Sequence, residues 1–317
     1  MDFYLIILFL LGGIFLGFKL DEKSLFVRLT DNLIKIALVV LLLAMGAGLG
    51  SNEKIFMQLG TIGLQAFAFA AVSIIFSILA VVVFARKMNL NNFLLQGSAD
   101  IEDELENKTE VENESDSSMT VLIFASVVIG ILIGFFFFNQ ALKSWLDPVT
   151  NYSLALLLLG VGIDIGASRE IIKDLKIMGW KLIIIPVLIA IASIIGSILT
   201  GAVFGFALEE SAAVGAGFGW YSLSGVLISK IHSAELGSLA FLTNVFRELM
   251  TVMILPFVVK YFGSLAAIAP GGATTMDVTL PLVKESGGEA VVIPAFVSGA
   301  VLSFLVPVLV PFFLNLI

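Results

Sequence analysis

Apolar runs of about twenty residues, the length that crosses a bilayer, follow one another along nearly the whole chain. Backbone in hydrocarbon must satisfy its own hydrogen bonds, which confines such runs to helices or a closed barrel. Their length is that of helices. The 317-residue chain is 59% hydrophobic and 13% charged, against roughly 45–50% and about 25% in soluble domains. The sequence therefore reads as an all-α integral membrane protein in contact with the lipid bilayer, without a separate soluble domain. The absence of cysteine excludes disulfides and thiolate metal sites, and the single histidine, His232, leaves little for imidazole catalysis or a His-built metal centre. No cofactor, metal or nucleic-acid partner is expected.

Strong runs cover 3–18, 33–49, 55–84, 120–138, 152–165 and 180–208, then 236–262 and 290–317. Two weaker segments, 212–229 and 264–283, are interrupted by Gly, Ser, Thr or Pro. The expected count is eight crossings if the weak segments re-enter and ten if both span. The first run follows Asp2 rather than a basic region and lacks a small-residue cleavage site, so it reads as a retained helix. We divide the one membrane domain into a six-helix half, 1–208, and a half at 209–317 that carries the candidate site.

The formal net charge of -8 is local. Between Asp100 and Asp116 lie Asp100, Glu102, Asp103, Glu104, Glu106, Glu110, Glu112, Glu114 and Asp116, against the lone Lys108. Without them the chain is neutral, and the loop 98–118 reads as a solvated insertion. Basic residues collect in alternate links: Lys19, Lys23, Arg28 and Lys35, then Arg86 and Lys87, then Arg169, Lys173, Lys176 and Lys181. The basic side is cytoplasmic, which predicts both termini outside and the acidic loop inside.

The halves repeat internally. Gly13-Ile14-Phe15-Leu16-Gly17-Phe18 matches Gly130-Ile131-Leu132-Ile133-Gly134-Phe135, and the run to Gly46 and Gly48 matches the run to Gly160 and Gly162. Three spans per unit make the second copy inverted, an arrangement typical of secondary transporters. The last third repeats more faintly, as 217–228 then a helix with Pro256, and 271–283 then a helix with Pro307. Re-entrant weak segments would enter from opposite sides and meet near the midplane.

The polar residues of this last third are the candidate site. A carboxylate near the bilayer centre costs at least a few kcal/mol and marks an ion or substrate pathway. Glu248 and Asp277 are two such acids. Gly215, Gly217 and Gly219 weaken a helix just before the hydroxyls of Tyr221, Ser222 and Ser224; freed backbone groups there can bind a charged substrate. Close helix packing through small residues is the competing reading. Pro270 and Pro281 bracket the second break, where Thr274, Thr275 and Thr279 lie beside Asp277 as expected hydroxyl partners. On the helix between the breaks, Asn244 and Glu248 share a face four residues apart. Arg247 points elsewhere, with Asp277 as an expected partner and a plain buried ion pair as the alternative. Asp164 reads as an interfacial residue and His232 as a surface one. Ser224 with His232, or Asp164 with Asp277, fits no intramembrane protease pattern, so the chain reads as a carrier rather than an enzyme.

At these residues the chain resembles the bacterial lysine exporter (LysO) family. The likeness rests on Gly217-Phe218-Gly219-Trp220-Tyr221-Ser222-Leu223-Ser224-Gly225, on Asn244-x-x-Arg247-Glu248, and on Gly272-Ala273-Thr274-Thr275-Met276-Asp277-x-Thr279-Leu280-Pro281. The N-terminal half matches mainly in the order of its runs. The resemblance implies an inner-membrane, multi-pass exporter of L-lysine and analogues such as thialysine, with its two functional acids at Glu248 and Asp277. Proton antiport with alternating access fits titratable acids on a path for a cation. The alternative is a proton- or sodium-coupled uptake carrier, or a channel, for another small organic ion.

Overall fold

The structure, a computed structural model, describes residues 3–19, 25–50, 59–88, 115–137, 140–167 and 181–315. Six long helices come first: α1 (Phe3–Lys19), α2 (Leu25–Gly50), α3 (Leu59–Met88), α4 (Ser115–Phe137), α5 (Gln140–Ala167) and α6 (Lys181–Phe204). Two short helices, α7 (Leu208–Gly215) and α8 (Tyr221–Ile231), replace the first weak run and lead into α9 (Ala234–Phe262). The second weak run is a 3-10 turn (Ser264–Ala267) continuing as α10 (Ile268–Gly271), a further 3-10 turn (Gly272–Met276) and α11 (Leu280–Gly287). A final long helix, α12 (Val292–Leu314), follows. No strand occurs among the described residues. Over Gly60–Lys87, Leu182–Phe204, Ala234–Phe262 and Val292–Leu314 the helices are long and apolar enough to cross a membrane, and shorter apolar helical stretches lie in α1, α2, α4 and α5.

Glycine lets the first six helices pack backbone to backbone, as small residues do where lipid supplies no hydrophobic drive. A Cβ at Gly13 of α1 would overlap the Leu159 carbonyl of α5 and lie 2.9 Å from Gly162 Cα. A Cβ at Gly130 of α4 would overlap the Leu43 carbonyl of α2 and lie 3.0 Å from Gly46 Cα. The first helix of each repeat thus packs on the second helix of the other. This reciprocity corrects the glycine alignment by two residues: Gly46 corresponds to Gly162, not to Gly160, and Gly50 to Gly166. In the same register Gly166 meets Ile14 and Gly17, while Gly50 meets Ile131. Each of these pairs runs parallel, since 10 and 14 in α1 meet 162 and 166 in α5.

The third helices pair across the repeat as antiparallel partners. Ser73 and Ser197 hydroxyls lie 3.4 Å apart, and Phe69 of α3 meets Phe206, beyond the end of α6, edge to face at 5.8 Å. Parallel first and second helices with an antiparallel third pair are what two inverted three-helix units require.

Tertiary contacts decide between spanning and re-entry. His232 Nε2, just past α8, lies 3.3 Å from Glu210 Oε1 at the start of α7, so both ends of the first segment lie on one face. His232 is an exposed surface residue, as expected, and it also sits against Glu210 across the two ends of the hairpin. At the second segment, a Cβ on Gly287 would lie 3.4 Å from the Ser264 carbonyl and 3.5 Å from the Ala267 Cβ. That segment also returns to the face it left. Since α9 is 29 residues long, about 43 Å at 1.5 Å per residue, the hairpins enter from opposite faces. The count over the described residues is eight long helices and two re-entrant hairpins.

Some expectations fall elsewhere. Of the acidic loop 98–118, residues 98–114 lie outside the described residues, and from Ser115 the chain is already helical. The Asp164 side chain also lies outside them.

Candidate functional site

Both hairpins turn at glycine-rich tips. α7 ends at Gly215, and the chain passes through Phe218 at φ 48° and Gly219 at φ 101° before α8 begins. A non-glycine residue in the left-handed region costs about 1–2 kcal/mol and persists only where its surroundings hold it. Phe218 is held: its ring is fully buried, and its carbonyl accepts a hydrogen bond from the Ala273 N–H at 2.8 Å. Ala273 belongs to the other tip, which turns at Gly272 with φ 64°. One main-chain hydrogen bond therefore joins the two hairpins where they meet.

α9 runs past this junction and presents two polar side chains to it. Asn244, 1% exposed, accepts from the Gly219 N–H at 2.6 Å. Its amide donates to the Ser224 hydroxyl at 3.0 Å and to the Ala240 carbonyl at 2.9 Å. Both amide hydrogens are engaged, which leaves Asn244 as a brace for the first tip. Ser224 completes the brace by donating to the Trp220 carbonyl at 2.8 Å. Replacing Asn244 by Ala leaves the Gly219 amide buried without its acceptor. The expected loss is about 1–3 kcal/mol, read as a lowered unfolding midpoint of the purified protein in detergent; an unchanged midpoint would show that the brace carries no stability.

Arg247 lies near the middle of α9 and is 2% exposed. Its Nε donates to the Pro270 carbonyl at 2.9 Å and its Nη2 to the Ala269 carbonyl at 3.3 Å. Its Nη1 donates to the Ser193 hydroxyl at 2.7 Å, and Ser193 donates onward to the Gly215 carbonyl at 3.1 Å. The guanidinium thus sits at the carbonyl ends of both inward half-helices, directly at Ala269 and Pro270 and through Ser193 at Gly215. Those ends carry partial negative charge, which explains a cation in such a dry place.

This geometry corrects two expectations. Arg247 does not reach Asp277; its three hydrogen bonds end on Ser193, Ala269 and Pro270. Nor do the threonine hydroxyls bind the Asp277 carboxylate; Thr274 meets Asp277 through the main chain, its carbonyl accepting the Asp277 N–H at 3.2 Å. Thr274 donates to the Gly271 carbonyl or to Thr279, whose hydroxyl lies 3.2 Å away, and Thr275 bonds the Gly272 and Ala295 carbonyls at 2.7 and 3.0 Å. They satisfy the backbone of the second tip and of α12. Asp277 itself is exposed, with its Oδ1 accepting the Val278 N–H at 2.6 Å.

The crossing therefore gathers Ser224, Asn244, Arg247, Thr275 and Thr279 around the two tips. Tyr221 and Ser222 are buried in the first turn of α8, and the Tyr221 ring meets Phe241 of α9 edge to face at 5.7 Å. Glu248 follows Arg247 on α9 and is 8% exposed. Glu248 and Asp277 differ sharply in exposure, one in the interior and one at the edge of a tip. Sequence reasoning missed Ser193. Its one signal was a hydroxyl at helical spacing with Ser197 and Thr200 in an otherwise apolar α6. Among the described residues no group of His, Cys, Asp and Glu is arranged to hold a metal ion.

The chain is 35% identical to the Lysine exporter LysO of Escherichia coli (strain K12) over 187 residues, 59% of this chain and 61% of that protein. It is 29% identical over 194 residues to a Haemophilus influenzae protein provisionally named a lysine exporter, covering 60% of this chain and 96% of that one. The chain thus spans less than two thirds of the E. coli relative that it matches. No solved structure matches. The model of the family described as "Lysine exporter LysO" matches residues 7–98 and 124–314, most of the chain including both hairpins, and the protein belongs to that family.

Proposed function

We propose that the protein is a secondary active exporter of L-lysine, and of close analogues such as thialysine, that works by proton antiport with alternating access. The observation that carries this reading is the junction of the two hairpins. They enter from opposite faces and are closed against each other by the Phe218–Ala273 hydrogen bond. Each face then has its own approach to the centre, and a small shift of one tip against the other changes which approach is open.

The distribution of basic residues puts the second hairpin on the cytoplasmic side of a bacterial inner membrane, with both termini and the first hairpin outside. Asp277, exposed on the second hairpin, then faces the side from which an exporter loads. Lysine carries a net positive charge at neutral pH, and the inside-negative potential opposes its exit by about 2.3 kcal/mol per 100 mV. Proton entry offsets that opposition. Glu248 and Asp277 hold either the lysine ammonium or protons, not both at once. The start of α8, with Tyr221 and Ser222, offers the α-carboxylate a half-helix N-terminus, where such groups are favoured. Ser224 and Asn244 shape the tip instead, because their hydrogen bonds are already used there.

The test is efflux of labelled lysine from preloaded proteoliposomes under an imposed proton gradient, inward protons being the driving ion. Efflux that rises with the gradient supports the proposal. Flux that ignores the gradient indicates a channel, and accumulation of another organic ion with no lysine movement indicates an uptake carrier; either overturns it.

A further inference from the structure

Carbonyl ends of broken helices in a membrane are natural sites for small cations, because several oxygens with partial negative charge converge where water is scarce. In this chain the oxygens that would form such a site are the Ala269 and Pro270 carbonyls and the Ser193 hydroxyl, which is itself bonded to the Gly215 carbonyl. All three receive an N–H of the Arg247 guanidinium, and all belong to buried residues. The partners of Arg247 are neutral, so its charge is met by helix ends rather than by a carboxylate. A guanidinium has five N–H donors in a rigid plane and stays charged, which suits it to bridge two helix ends at once.

We propose that Arg247 is a tethered cation occupying the place that a coupling sodium ion would otherwise take, so that transport runs without sodium and Ser193 is the positioning residue that extends the charge to the first hairpin. The inference deepens the exporter reading and rests on it for the transport consequence. The site itself stands on the geometry alone. With the cation covalently fixed, neither hairpin tip needs a soluble ion in order to assemble. Ser193 is fully buried and bonded to the guanidinium, so it acts through Arg247.

Two measurements test this on the full-length protein. In the first, wild-type lysine flux is compared in sodium and in choline buffers at equal ionic strength. The expected fluxes agree within about twofold, and a loss of about tenfold without sodium, equal to 1.4 kcal/mol, overturns the proposal. In the second, purified Arg247→Ala is heated in detergent with and without millimolar guanidinium ion, well below denaturing concentrations. Guanidinium is expected to raise its unfolding midpoint by several degrees and to leave the wild type unmoved, because only the variant has an empty carbonyl cage. Equal responses of the two proteins overturn the proposal.

If Arg247→Ala does not accumulate, Arg247→Lys takes its place in the flux assay. It keeps a cation on a flexible stem and is expected to retain sodium-independent transport; a sodium requirement in that variant overturns the proposal. Ser193→Ala separates positioning from simple support, since its midpoint should recover with Ser193→Thr, which restores the hydroxyl. Should wild-type lysine flux prove absent altogether, the exporter reading fails while the guanidinium response still decides the cation site.

Discussion

Gly272→Ala is expected to abolish lysine transport and to destabilise the protein by several kcal/mol. Two independent effects combine there. The residue sits at φ 64°, and an added Cβ would overlap the Phe218 carbonyl oxygen while lying 3.1 Å from Arg247 Nη2. The first is backbone strain of about 1–2 kcal/mol. The second is steric: it pushes apart the two tips at a main-chain hydrogen bond that joins them and disturbs the guanidinium. Gly205→Ala is the control, because Gly205 has φ 81° but nothing within 4 Å of its Cβ position. It carries the strain without the clash. Thermal unfolding in detergent and proteoliposome efflux on both variants separate the two effects. Transport by Gly272→Ala equal to that of Gly205→Ala would show that contact between the tips is not needed.

The acids give the other large effect. Glu248→Gln and Asp277→Asn remove a charge and a titratable proton while preserving shape. Both are expected to lower gradient-driven lysine efflux by at least about tenfold, the equivalent of 1.4 kcal/mol in the rate-limiting step. They should differ in kind. Asp277 is exposed at the edge of the second tip, so Asp277→Asn should act chiefly by raising the lysine concentration needed for half-maximal flux. Glu248 is 8% exposed on α9, so Glu248→Gln should chiefly break the link between lysine efflux and proton uptake. Simultaneous recording of labelled lysine and an internal pH dye reads both quantities. Wild-type coupling in both variants would sink the idea of a proton-or-lysine switch.

Nearness along the chain and charge are poor guides to the contacts of this site. Gly46 was aligned with Gly160 because the glycines of a helix look alike along the chain; the Gly130–Gly46 and Gly13–Gly162 approaches set the alignment two residues further on. Charge, the strongest attraction visible in a list of residues, pairs Arg247 with Asp277. Its guanidinium instead found main-chain carbonyls, and no sequence shows which carbonyls a helix break has left without partners. Proximity in the chain pairs the threonine hydroxyls with Asp277. A tight turn has many unsatisfied main-chain groups, and Thr274 and Thr275 satisfy those first. Ser193 went unnoticed because it lies more than fifty residues before Arg247 in an apolar helix.

The helical class, the positions of the long runs, the two weak segments and the inverted pairing were all legible without coordinates. A chain in hydrocarbon has few ways to satisfy its backbone, so hydropathy and glycine spacing constrain it more tightly than they do a soluble chain. Re-entry was not legible: a segment of Gly, Ser and Thr can cross or turn back with the same composition. The Glu210–His232 pair and the approach of Gly287 to Ser264 settled that, and both are contacts between the ends of a hairpin. The partner of Arg247 was likewise decided in three dimensions, because the negative charge that meets it belongs to helix ends, which exist only once the helices have broken and met.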